Sequence, residues 1–205
     1  MVNRLDEAGA NIALLRPAAH RHTRERVLEE ARSWIGTPYH HRASVKGVGA
    51  DCLGLIRGVW LTIYKTEPET LPDYSQDWAE ATGYQTLLAA AYRHMFEVPI
   101  TMIEPGDVLL FRTKPGGPAR HIGILGNARA EEDIDDLSDL PLFQGSRSKA
   151  SAQRRDEPDL TLIHAWSKHA VAEVPFDARW QSRVVAAFGF PDQRRSGRKK
   201  KVVSA

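Results

Sequence analysis

Three residues of this chain carry the chemistry of a nucleophile and its base: Cys52, His121 and His164. Cys52 is the one cysteine among 205 residues, so neither an internal disulfide nor a thiolate-rich zinc site can form. It follows Gly49-Ala50-Asp51 and opens a run in which Leu55, Ile56, Val59, Trp60 and Ile63 share one helical stripe. A thiol in the first turn of a helix faces unpaired N–H groups and the positive end of the helix dipole. Both favour the thiolate, the reactive form. Taken alone, Cys52 also reads as a small buried hydrophobe on an amphipathic helix. His121 begins the strand-like run His121-Ile122-Gly123-Ile124-Leu125, and His164 lies within Leu160–Trp166. On neighbouring strands such side chains can lie side by side. Nucleophilic catalysis needs a base within reach and a third polar group that fixes the imidazole tautomer. A single strand histidine is ordinarily a core or surface residue, and only the combination with Cys52 points to catalysis.

Helices and strands must position these residues. Up to about His22 no periodicity is sustained, and residues 1–22 read as an extension. Thr23 reads as an N-cap, followed by Val27, Leu28, Ala31, Trp34 and Ile35 at helical spacing, with Gly36 and Pro38 as the stop. Tyr39–Ala50 reads as a loop, Asp51–Cys52 opens a second helix, and a third is expected from about Trp78 to Met95. The character then changes. Val108–Phe111, Ile122–Leu125, Leu160–Ala165, Val171–Val174 and Val184–Phe188 are short apolar runs bounded by Gly, Pro or charge, and they predict five strands. Between the second and third of these lies a polar stretch, 129–159, acidic first and basic later, expected to be a surface loop or insertion. Helices first and strands after predict an α+β fold, a helical layer packed on an antiparallel sheet.

The segments Gly36-Thr37-Pro38-Tyr39, Asp51-Cys52-Leu53-Gly54-Leu55, Pro105-Gly106-Asp107-Val108-Leu109, His121-Ile122-Gly123-Ile124 and Ile163-His164-Ala165 resemble, in order and flanking residues, the NlpC/P60 cell-wall peptidases. The resemblance runs from about Val27 to about Phe190, and the peptidase domain is placed at 23–192. Leu53 and Leu55 make the chain similar to phage-type and gene-transfer-agent-type members, since wall-anchored members usually show Asp-Cys-Ser-Gly. The resemblance implies a papain-like fold, with the nucleophile at a helix N-terminus packed on a small antiparallel sheet. It implies Cys52 as nucleophile, His121 as general base and His164 as the orienting third member. Tyr39 falls where the family lines the substrate cleft, and Asp51 where many members meet the free amine of a peptide stem. The implied reaction is acyl transfer on a peptidoglycan stem peptide, at the bond after γ-D-glutamate.

Composition narrows the setting. The hydrophobic fraction of 42%, charged fraction of 26% and net charge of +2 are ordinary for a soluble domain. The start of the chain lacks an apolar run behind a basic stretch, and no segment reaches the ~20 apolar residues of a membrane span. Neither a signal peptide nor membrane insertion is therefore expected. A wall hydrolase made in the cytoplasm without its own export signal is expected to travel in the tail of a phage-like particle, beside tail or baseplate hub proteins. A structural tail protein that keeps only the fold, and a cytoplasmic peptidase recycling wall peptides, remain the alternatives. The tail 193–205 carries Arg194, Arg195, Arg198 and Lys199–Lys201, read either as a solvated end or as a grip on an anionic partner. No cofactor is expected: the pairs His20/His22 and His40/His41 lack the converging ligands a metal needs. Trp34, Trp60 and Trp166 are read as core rather than as a stacking platform, so nucleic acid is not an expected partner. His94 and His169 read as surface residues, and Lys114–Pro118 as a turn.

Overall fold

In the computed structural model, residues 18–69, 86–128, 159–167 and 169–192 are described. The extension before residue 18, the first half of the expected third helix, the polar stretch 129–158 and the basic tail lie outside them.

Helix α1 (Ala18–Arg32) buries Val27 and Ala31, and Trp34 beyond its end continues the same stripe. The helix starts five residues before Thr23, which is therefore not its cap. The Thr23 hydroxyl instead donates to Asp192 Oδ1 at 3.2 Å, and His20 Nε2 lies 2.6 Å from Asp192 Oδ2. A partner from the far end of the chain thus supports the first turns, which local spacing could not reveal. Gly36, at φ +89°, ends the turn after α1.

The expected loop Tyr39–Ala50 contains a small ladder, β1 (Ser44–Val45) against β2 (Gly49–Ala50). Helix α2 (Cys52–Tyr64) follows at once. Asp51 caps it through Gly54 N–H, and Lys65, in the left-handed conformation, closes its far end. Gly58 lets α1 and α2 approach closely, because a Cβ there would lie 2.0 Å from the Trp34 ring. Helix α3 (Thr86–His94) buries Leu87 and Ala91.

Six antiparallel strands form the main sheet, in the order β3-β8-β4-β5-β6-β7. They are β3 (Phe96–Val98), β4 (Val108–Arg112), β5 (Ala119–Asn127), β6 (Leu160–Ala165), β7 (Val171–Pro175) and β8 (Val184–Gly189), with a short helix α4 (Ala178–Gln181) between β7 and β8. Five of the six match the expected runs. The sixth, β3, has three residues and directly follows α3, too short to show alternation. Central strand β4 is buried on both faces, which explains its unbroken apolar run. Val108 and Leu110 pack with Leu55, Val59 and Trp60 of α2, whereas Leu109 and Phe111 pack with Leu125, Leu162 and Phe176 on the other face.

Candidate active site

The loop before α2 and the capping of that helix set the position of Cys52, its first residue. The Asp51 carboxylate is 3% exposed, and each oxygen has a backbone donor: Gly54 N–H to Oδ1 at 2.7 Å and Arg42 N–H to Oδ2 at 2.6 Å. Arg42 has a left-handed φ of 66°, which costs energy for a residue with a Cβ and aims its N–H at the cap. His41 Nδ1 lies 3.4 Å from Asp51 Oδ2. Asp51 is thus first the residue that builds the entry to α2. Half-buried Tyr39 is bridged to Ala50, and its phenol is held above its ordinary pKa by burial, then by Asp51 and Cys52. It stays protonated and can donate. Tyr39, Asp51 and Cys52 therefore form one half of the site.

The histidines form the other half. His121 on β5 and His164 on β6 are 5% and 6% exposed, and His121 Nε2 meets His164 Nδ1 at 3.0 Å. Burial pushes His121 down to about 3, with the neighbouring His164 adding to the shift. Burial, then His169, pushes His164 down to about 4. Both rings are neutral at neutral pH, so one donates to the other. If His121 donates from Nε2, its Nδ1 is left as an acceptor for a proton.

Backbone groups join the halves. Sγ of Cys52 is faced by the N–H groups of Ile122, Leu53 and Cys52 itself, and Ile122 adjoins His121 on β5. These N–H groups favour the thiolate, as a helix start should. Burial outweighs them, Asp51 adds to its effect, and the thiol is pushed up to about 12. The expectation of a resting thiolate is therefore corrected: the free site holds a thiol and an imidazole. The hydrogen bonding of Sγ is with backbone rather than with His121. In free enzymes catalytic hydrogen bonds are often long and tighten only when substrate binds.

Beside Leu53 and Ile122 opens an apolar cleft, continued by Ile56, Trp60, Leu87 and Ala91. His94 lines it too, half-buried and 3.2 Å from Glu69, so it is not the free surface residue expected from the sequence. His169 is exposed, as expected. Trp34 and Trp60 are buried in the core, but Trp166 is 38% exposed, with its ring centroid 5.0 Å from that of His121. Its apolar neighbourhood in sequence concealed that position at the end of β6. Sequence reasoning also passed over Trp180, whose centroid is 4.8 Å from that of His164. It sits on the four-residue α4, which is too short to carry a periodic signal.

The family model described as NlpC/P60 family matches residues 36–188. No curated protein matches the chain. A lipoprotein-like NLP/P60 family protein of Staphylococcus aureus is 18% identical, with a TM-score of 0.46, covering 82% of this chain and 41% of its own. An NlpC/P60 family protein of Bacillus cereus is 16% identical, with a TM-score of 0.47, covering 85% and 40%. The NlpC/p60 domain of the peptidoglycan hydrolase SagA is 18% identical, with a TM-score of 0.44, covering 82% and 98%. The chain spans about two fifths of the first two of these proteins.

Proposed function

The chain belongs to the NlpC/P60 family, and on that premise we propose that it is a cysteine peptidase acting on the peptide stems of peptidoglycan. Cys52 is the nucleophile, His121 the general base and His164 the residue that holds His121. The observation that carries this reading is the 3.0 Å hydrogen bond between two buried histidines, one of which, His121, immediately precedes the residue whose N–H faces the thiol.

Because thiol and imidazole rest neutral, attack and proton transfer are coupled. His121 Nδ1 takes the thiol proton as Sγ bonds to the amide carbonyl carbon, and the carbonyl oxygen becomes an oxyanion. The backbone N–H of Cys52 at the start of α2 can donate to it. Losing one such donor in comparable sites costs roughly 3 kcal/mol of transition-state stabilisation. His121 then gives its proton to the leaving amine as the C–N bond breaks, leaving a thioester. Water, deprotonated by His121, hydrolyses the thioester to a carboxylate and restores the thiol. The resemblance to the family implies that Tyr39 and Asp51 meet the amino end of the stem, and in this reading the bond cut is the one after γ-D-glutamate. Digestion of purified peptidoglycan by wild type and Cys52→Ser, with products read by mass spectrometry, tests this. Stem fragments from wild type alone support it. Two folded proteins that both release nothing would instead favour a structural protein that keeps the fold.

The place of action in this reading is the tail tip of a phage or gene-transfer-agent particle, where the enzyme opens the wall for DNA delivery beside hub proteins. The support is the motif Asp51-Cys52-Leu53-Gly54-Leu55, similar to members of that type. Purified particles that lack the protein by mass spectrometry would rule that placement out.

A further inference from the structure

Trp166 leaves 38% of its surface in water although it stands directly beside two histidines that are 5% and 6% exposed. Its ring meets His121 edge-on, at a centroid distance of 5.0 Å and an angle of 72°, and lies 6.0 Å from His164. Trp180 flanks the pair, 4.8 Å from His164 and 5.6 Å from His121. Phe111, opposite His121 in the sheet, lies 5.9 Å from it and 5.1 Å from Trp180. The two indoles are 5.8 Å apart and nearly perpendicular, at 84°. Three aromatic rings therefore lie against the His121–His164 pair, and of these Trp166 is the exposed one.

We propose that Trp166 is a positioning residue: it keeps water off the His121–His164 hydrogen bond and so holds His121 in one neutral tautomer, with Nδ1 left for the thiol. Water that reaches a hydrogen bond between neutral groups competes for both partners, so the bond fixes orientation only where water is excluded. Water would also solvate a charged imidazole and let the pair protonate at a higher pH. Among the described residues, the charged groups that act on the pair are the two histidines themselves and His169. Cys52 approaches from α2, uncharged, and His169 lies beyond His164. The side chains that face it from β4 and α4, Phe111 and Trp180, carry no charge.

The catalytic consequence rests on the peptidase reading, but the protonation of the pair can be measured without turnover. Imidazole NMR titrations of wild type, Trp166→Ala and Trp166→Phe provide that measurement, with His121→Gln and His164→Gln used only to assign signals. In wild type both rings should stay neutral down through pH 5. In Trp166→Ala at least one should protonate at a pH higher by about one unit or more, and Trp166→Phe should stay near wild type. Where the enzyme turns over, the acid limb of kcat/KM should move the same way, with KM little changed. If Trp166→Ala loses its near-UV circular dichroism, Trp166→Leu, which keeps partial cover, takes its place. Superimposable titrations in a folded variant overturn the proposal. Inactivity toward peptidoglycan would count against the reaction and leave the titration to decide the role of Trp166.

Discussion

Replacing Gly54 by alanine tests how the site is held together. A Cβ at Gly54 would lie 1.8 Å from the carbonyl oxygen of Ala43 and 3.2 Å from Asp51 Oδ1. Real Cβ contacts essentially never fall below 3.0 Å, so helix or loop must retreat by more than about 1 Å. The contacts under 3.0 Å are both with the Ala43 backbone carbonyl, its oxygen at 1.8 Å and its carbon at 2.9 Å, so no flexible side chain can give way. The displaced loop also supplies the bonds from Arg42 N–H to Asp51, Ser44 Oγ to Gly54 O, and Asp51 N–H to Ala43 O. Overpacking typically costs about 1–3 kcal/mol, and loosening one or two of these bonds adds about 1 kcal/mol each. A total of roughly 3 kcal/mol at about 2–4 °C per kcal/mol lowers Tm by roughly 6–12 °C. Because the shift falls at the residue that caps the Cys52 helix, activity should fall further than stability, by about 100-fold for a displacement near 1 Å. Thermal unfolding and peptidoglycan digestion measure the two effects. A Gly54→Ala protein with wild-type Tm and wild-type turnover would show that this close approach does not hold the nucleophile.

Three further outcomes are expected. Cys52 should react with iodoacetamide at pH 7 at least about tenfold more slowly than a free cysteine, because its thiol is pushed from 9.0 to about 12. Fast alkylation already at pH 6 would mean a resting ion pair instead. His164→Ala leaves the buried Nε2 of His121 without its partner. It should cost about 1–3 kcal/mol in denaturant unfolding and lower kcat by about 100-fold or more, whereas unchanged kcat would remove His164 from the mechanism. Both histidine pKa values are lowered on folding, so the unfolded chain binds more protons on the acid side. Their contribution to stability is therefore complete above about pH 6.5 and is lost as pH falls toward 4 and then 3. Tm should drop between pH 7 and pH 5, and by less in His121→Gln/His164→Gln.

The sequence determined what repeats locally. Leu55, Val59 and Ile63 mark the buried face of α2, and Val108–Phe111 reads as a strand, which the fold buries on both sides. The position of Cys52 at a helix start, and His121 and His164 on strands, followed from the same periodicities. Tertiary structure decided whatever depends on distant partners. Asp192 supports the first turns of α1, so Thr23 lies inside a helix that its own neighbours would not have started there. That β5 pairs with β6, across the polar stretch 129–158, is what joins His121 to His164. The charge state of the site was also hidden. Helix position argues for a thiolate, but desolvation depends on what packs over the sulfur, and here it prevails. Trp166 and Trp180 show the same limit: an indole closing a short apolar run reads as core, and one in the polar stretch Asp177–Arg183 carries no signal at all. Only the fold, by bringing strand ends and a four-residue helix together, makes these two the walls of the histidine pair.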